Sequence, residues 1–206
     1  LNRPTKDFGT GKDWFDSNKA INAHYPTNTH GLGNTLNEEK IILWKLNNKL
    51  PERNTALNSG YYSTGSLLIK SIKDEQGNEV REYTDRFGQI VLKKVQVKGT
   101  VTSLNDPTQW ALTYYLYDDF GSLVFVFQPE LSKSLLSSNV YNPSPADLNI
   151  YAFQYTYDER KRMVVKKMPG ADSLFMVYDN RNRLVLTQDG NQRKDVNGAV
   201  TKKEWS

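Results

Sequence analysis

The stretch Tyr117-Asp118-Asp119-Phe120-Gly121-Ser122-Leu123-Val124 decides how this chain folds. Asp suits the first place of a type I turn, because its carboxylate accepts backbone N–H groups further along. Gly at the fourth place supplies the positive φ that closes such a turn with a bulge between two antiparallel strands. The apolar residues that follow are then the start of the returning strand. One such phrase predicts one hairpin, and the phrase recurs.

Thr84-Asp85-Arg86-Phe87-Gly88-Gln89-Ile90-Val91 and Lys73-Asp74-Glu75-Gln76-Gly77-Asn78-Glu79-Val80 keep both Asp and Gly. In Tyr157-Asp158-Glu159-Arg160-Lys161-Arg162-Met163-Val164 a Lys replaces the Gly, and in Tyr178-Asp179-Asn180-Arg181-Asn182-Arg183-Leu184-Val185 an Asn does. Asn tolerates the left-handed region next best after Gly, whereas Lys161 takes on strain there. A weaker sixth phrase is Asp195-Val196-Asn197-Gly198-Ala199-Val200. The predicted turn residues are therefore Asp74, Gly77, Asp85, Gly88, Asp118, Gly121, Asp158, Lys161, Asp179 and Asn182. Repeated turns mean repeated structural units, which point to scaffolds, shells and binding surfaces before catalysts.

The flanking segments have strand character. Tyr151, Phe153, Tyr155 and Tyr157 alternate with Ala152, Gln154, Thr156 and Asp158, which is the period of two. Leu123–Phe127 and Leu174–Tyr178 are unbroken apolar runs, the pattern of strands covered on both faces. Strands are predicted at about 66–73, 79–84, 89–98, 109–117, 122–128, 150–158, 162–168, 173–179 and 183–188. Between them, Pro129 opens a helical stretch and Pro143-Ser144-Pro145 another turn of helix, so short helices are expected within 129–149.

Residues 1–65 differ in composition. They hold ten of the nineteen Asn and both His, with one apolar segment, Ile41-Ile42-Leu43-Trp44-Lys45-Leu46, read as a strand. The expected organisation is a loop-rich N-terminal region over 1–65 and a β-sheet domain over 66–206. The fold class is all-β: antiparallel hairpins strung into a curved, twisted sheet.

Bulk chemistry narrows the function. The 206 residues are 37% hydrophobic and 12% aromatic, with mean hydropathy −0.67. That favours a thin sheet with aromatic rows over a many-layered core. The net charge of +4 is small and dispersed, so no nucleic-acid partner is expected, and Arg160-Lys161-Arg162 reads as a charged strand edge. There is no Cys, hence no disulfide framework or thiolate site. No apolar run is long enough to span a membrane as a helix. The chain begins at Leu1 and ends at Trp205-Ser206, which reads as a piece of something longer.

Constellations for catalysis do not assemble. Gly9-Thr10-Gly11-Lys12 lacks the first Gly and the Ser/Thr of a phosphate loop, and Gly31-Leu32-Gly33 lacks the third Gly of a dinucleotide fingerprint. His24 and His30 lie six apart without further ligands at metal spacing. No catalytic, cofactor or metal residue is expected and the chain reads as non-enzymatic. The aromatic residues are the remaining functional signal, with Trp14 and Trp110 as a ligand platform for sugar stacking.

The Tyr-Asp phrases are similar to the YD repeat of RHS (rearrangement hot-spot) proteins. Residues 114–130 and 153–193 resemble the Bacteroidetes type of that family, through Gln154-Tyr155-Thr156-Tyr157-Asp158, Met168-Pro169-Gly170-Ala171-Asp172, Met176-Val177-Tyr178-Asp179 and Arg183-Leu184-Val185-Leu186-Thr187-Gln188-Asp189-Gly190. Leu1-Asn2-Arg3-Pro4 and Leu43-Trp44-Lys45 resemble the segment before the repeats. The resemblance implies a secreted or cell-surface protein whose repeats wind into a β-sheet shell. Such a shell encloses or presents a C-terminal effector or toxin domain, or serves contact between cells. The implied partners are the remainder of a longer chain and a glycan or cell-surface ligand. A carbohydrate-binding adhesion module using exposed Tyr and Trp is the alternative.

Overall fold

The computed structural model describes residues 3–29, 38–137, 142–194 and 205. His30, Gly31-Leu32-Gly33 and the sixth turn phrase at 195–200 lie outside the described residues. The chain divides into two compact units, Leu1–Tyr114 with Ser132–Asn142, and Tyr115–Leu131 with Pro143–Ser206. Both are all-β and antiparallel, as the hairpin phrases require.

In the first unit, β1 (Lys6–Phe8) and β2 (Ala20–His24) flank a one-turn helix, α1 (Lys12–Asp16). A separate two-stranded ribbon follows, β3 (Trp44–Asn47) and β4 (Leu50–Arg53). Its two-residue turn places Asn48 at φ 48 and Lys49 at φ 65, the doubly left-handed geometry that matches strand twist. Then come β5 (Leu68–Lys73), β6 (Glu79–Thr84), β7 (Ile90–Gln96) and β8 (Trp110–Tyr117). The main sheet runs β1-β2-β5-β6-β7-β8, every pair antiparallel.

Among the described residues, four strands therefore lie within 1–65 where the sequence predicts one, and the predicted strand at 41–46 begins only at Trp44. Ile41 and Ile42 serve burial instead: they are 0% and 1% exposed. Each buried side chain of this size contributes roughly 1.5–3 kcal/mol, enough to hold an irregular segment against a sheet. β1 and β2 escape sequence reading because they are short and hold only two apolar side chains larger than Ala between them, Phe8 and Ile21.

The second unit contains the end of β8, β9 (Leu123–Phe127), the start of α2 (Pro129–Ser137), α3 (Pro145–Tyr151), β10 (Ala152–Tyr157), β11 (Met163–Lys167), β12 (Leu174–Tyr178), β13 (Leu184–Gln188) and α4 (Gly190–Arg193). Its strands pair in sequence order, β9-β10-β11-β12-β13. α3 starts on a capping box: Ser144 Oγ accepts from Asp147 N, and the Asp147 carboxylate accepts from Ser144 N, with Pro145 in the first turn. The two apolar runs differ from expectation. Phe125 and Phe127 of β9 are buried, but no residue of β12 is, and Val177 is exposed. A single-layer sheet leaves its second face in solvent, so an unbroken apolar run here does not mean two covered faces.

The five described turn phrases adopt one geometry. In each, the Asp N–H donates to the carbonyl four residues on, and the Asp carbonyl accepts from the N–H three residues on. The Asp Oδ1 accepts two more N–H groups, from the second and fourth residues after it, at 2.7–3.0 Å. The fourth place is left-handed whatever residue fills it: φ is 89 at Gly77, 79 at Gly88 and Gly121, 59 at Lys161 and 63 at Asn182. Register shifts follow at Tyr83/Thr84, Thr156/Tyr157 and Val177/Tyr178, the bulge that this turn imposes. A Cβ at Gly88 meets nothing within 4 Å, so the demand for Gly there is purely one of φ. Gly88→Ala is expected to lower unfolding free energy by about 1 kcal/mol without altering the fold, read from urea denaturation.

Candidate functional site

Two arrangements of side chains stand out, one in each unit. In the first unit, antiparallel register lines up two rows across β5 to β8. Ile69, Tyr83, Leu92 and Tyr114 face one another in an apolar row. Two residues further along each strand lie Ser71, Arg81, Lys94 and Leu112. The period of two thus puts two cations on the same face as buried aromatics.

Glu39, 2% exposed, comes down onto this row. Its Oε1 accepts from Arg81 and from the Tyr83 hydroxyl (2.7 Å). Arg81 Nε also pairs with Glu79 at 3.1 Å, and Glu79 Oε1 accepts from Ser71 Oγ at 2.6 Å. Lys94, 2% exposed, donates from Nζ to the Leu104 carbonyl at 2.7 Å and sits 5.1 Å from the Tyr83 ring centroid. Two acidic and two basic groups balance. Burial pulls the Lys94 ammonium down to about 8, against the Glu39 charge that favours it. Burial pushes the Tyr83 hydroxyl well above its ordinary value, and the neighbouring Glu39 charge adds to this.

The network is a latch. Asn105 Nδ2 donates to the Glu38 carbonyl and its Oδ1 accepts from Lys40 N, at 2.6 and 2.8 Å. Residues 38–40 are therefore held from both sides, by side chains of the sheet and by the loop after β7. Asn28, fully buried, does the same for the loop before β5, accepting from Leu67 N and donating to the Ser63 carbonyl, both at 2.9 Å. Lys94 also lines a cleft of about 240 Å³ with Lys40, Tyr61, Asn105, Leu112 and Tyr114. None of these residues is singled out by sequence motifs. The signal that finds Arg81 and Lys94 is their even spacing from Tyr83 and Leu92.

In the second unit, successive turns are cross-linked. The Tyr157 hydroxyl donates to the Leu123 carbonyl, and the Tyr178 hydroxyl to the Met163 carbonyl, each at 2.9 Å. Both tyrosines immediately precede a turn Asp, and both acceptors are the first residue after the preceding turn. Lys161 Nζ donates to the Phe120 carbonyl of the preceding turn at 2.9 Å. Arg162 holds Asp158 Oδ2 through Nε at 2.7 Å and reaches on to the Asp179 carbonyl and Asn182 Oδ1 at 3.1 and 3.0 Å. Arg183 repeats the first half of this, with Nε on Asp179 Oδ2 at 2.8 Å. The bonds from Arg162 and Arg183 hold the Asp158 and Asp179 carboxyls below the usual carboxylate range, and Asn78 does so for Asp74. Burial raises the Tyr157 hydroxyl, so it stays a donor through the neutral range.

The expected sugar platform divides. Trp110 is 2% exposed and its Nε1 donates to the Ser103 carbonyl at 3.1 Å, so its ring is core wall and offers no stacking face. Alternation along β8 placed it inward with Leu112 and Tyr114. Trp14 is 41% exposed, lies over Gly9 and has Lys19 Nζ 5.8 Å from its ring. His24 is exposed on β2, opposite Ser71. Among the described residues no three His, Cys, Asp or Glu cluster as metal ligands, and no helix is long and apolar enough to cross a membrane.

No family model matches this chain, and no curated protein does. Among solved structures it is similar to a crystal structure of TcdB2-TccC3-Cdc42, at 17% identity over 62% of this chain and 6% of that one, with a TM-score of 0.45. It is also similar to the Tc holotoxin pore of Photorhabdus luminescens, at 14% identity over 72% of this chain and 7% of that one, again with a TM-score of 0.45. The chain thus spans under a tenth of the length of either structure.

The latch generates two expectations. Glu39→Gln leaves Arg81 and Lys94 buried with a single carboxylate and is expected to cost about 3 kcal/mol in chemical denaturation. Lys94 titrates at about 8 folded and near 10.5 unfolded, so between these values the unfolded chain binds the additional proton. Its contribution to stability therefore rises with pH across that window. The denaturation midpoint of the native chain should gain on that of Lys94→Met between pH 8 and pH 10, below the range where Tyr83 enters.

Proposed function

We propose that this chain is a structural, non-enzymatic segment of a secreted or cell-surface RHS/YD-repeat protein, building part of a β-sheet shell that encloses or presents a C-terminal effector or toxin domain. The observation that carries the reading is the cross-linked row of turns. Five turns of one geometry are what a repeated building unit requires, and in the second unit the Tyr157-Asp158 and Tyr178-Asp179 turns are each bonded to the turn before. Rows of this kind resist splaying of neighbouring hairpins, which is what a wall needs and a catalytic cleft does not.

The buried charged side chains also fit a wall. Lys94 has its Nζ committed to a backbone carbonyl, and Glu39 has two donors on one oxygen. Both hold segments in place. The partner in this reading is the remainder of the same longer polypeptide.

Limited proteolysis of the full natural chain tests the reading. The expected result is a closed particle by electron microscopy, with the C-terminal domain resisting trypsin far longer than the same domain expressed alone. Equal cleavage rates for the enclosed and isolated domain would overturn the enclosure.

A further inference from the structure

We propose that the cleft beside Lys94 is a binding site for a small carboxylate with an apolar body, its charge held by the Lys94 and Lys40 ammonium groups. Strand register builds the site. Lys94 on β7 is the cross-strand partner of Leu112 on β8, and Tyr114 lies two residues further along on the same face. These three side chains line the cleft from the sheet, and Leu112 and Tyr114 are buried. The loop after β7 adds Leu104, Asn105 and Pro107, and α2 adds Leu136. Asn105 accepts from Lys40 N, which brings Lys40 to the same opening.

The charge of this lining is one-sided. It holds two amines and, among the described residues, no carboxylate. Asp106, in the same loop, accepts from Thr108 and Gln109 instead. Glu39 gives its Oε1 to Arg81 and Tyr83. Lys94 has three N–H groups to place and one acceptor among the described residues, the Leu104 carbonyl at 2.7 Å. The face of the Tyr83 ring, 5.1 Å from Nζ, takes a second direction. A buried ammonium with a single oxygen partner is under-satisfied, and an anion in the cleft completes its shell. Burial lowers this group to about 8, so it still carries its charge at pH 7.

The apolar lining and the volume set the size of the occupant. Leu104, Pro107, Leu112 and Leu136 give it a hydrocarbon surface to lie against. The cleft, at about 240 Å³, exceeds the roughly 150 Å³ that holds a benzene ring. It falls short of the roughly 300–1,000 Å³ of sites for drug-sized ligands. The occupant is therefore a free acid of one ring or one short branched chain, with its carboxylate on Lys94 and its body on the leucines. The site lies within the first unit and needs no neighbouring repeat, so it is independent of the shell reading.

The test titrates the ¹⁵N-labelled chain at pH 7 with sodium benzoate and, separately, with benzamide, a neutral molecule of the same shape. Expected are saturable amide shifts at Lys40, Tyr61, Leu104, Asn105 and Leu112, with benzamide about tenfold weaker than benzoate. Lys94→Met should weaken benzoate about tenfold, and the exposed Lys40→Ala about threefold. The comparison of the two probes is made on the native chain, so it decides the matter even where Lys94→Met loses its fold. Equal binding of benzoate and benzamide, shifts that do not saturate, or shifts centred outside the cleft overturn the proposal. A tripeptide ending in a phenylalanine carboxylate that binds more tightly than benzoate overturns the choice of a free small acid.

Discussion

Everything regular in this protein depends on one small constraint: a single carboxylate oxygen accepting two backbone N–H groups within a five-residue loop. Once the Asp Oδ1 is bonded to the second and fourth residues after it, the backbone between them can only close with the third in the left-handed region. That fixes the bulge, and the bulge fixes which residues of the two strands face each other. The tyrosine before the Asp and the residue after the left-handed position then land at set places on the edge of the sheet. Long-range order follows from a bond of 2.7–3.0 Å made within five residues.

The two turns without glycine show what replaces its freedom. A left-handed non-glycine residue costs on the order of 1 kcal/mol. In both cases the next residue is an arginine whose Nε holds the other oxygen of the turn carboxylate. The bond anchors the turn carboxylate from its second oxygen and so favours the closed turn that the left-handed residue strains. The glycine turns use Asn78, Gln89 or Ser122 at that place and need no cation. Strain and compensation travel together: Lys161 with Arg162, Asn182 with Arg183. Lys161 also turns its strained position to use, because its ammonium reaches the preceding turn.

The hairpins were legible because their information is local. Asp, four residues and a change of hydrophobic period are enough to place nine strands within about two residues and both helices of 129–151. What sequence did not disclose is non-local. Glu39 finds Arg81 and Tyr83 across more than forty residues, and Asn28 finds Leu67 across thirty-nine. No spacing rule connects them, since loop closure leaves the partner of a distant residue open. Trp110 was legible as a strand residue but not as an interior one, since the sign of the alternation needs a neighbouring strand to define it. β1 and β2 were hidden for a related reason: short strands are held by partners, and Lys6–Phe8 has almost no pattern of its own.

The two units solve the problem of a thin sheet differently, and the Tyr-Asp phrase marks the difference. In the first unit the turns at Asp74 and Asp85 follow Lys73 and Thr84, neither of which can bridge as tyrosine does. There one face is closed by an irregular segment, with Ile41 and Ile42 buried and Glu39 bonded into a balanced ionic row. In the second unit no comparable buried ion pair is found among the described residues, and most strand residues remain half-exposed. Its hairpins are held sideways, through tyrosine hydroxyls and basic side chains that donate to the carbonyls of the adjoining turn. A sheet stabilised from above is complete when its cover is in place. One stabilised laterally draws its strength from the bonds between successive turns, so each hairpin is held by its neighbour rather than by a covering segment.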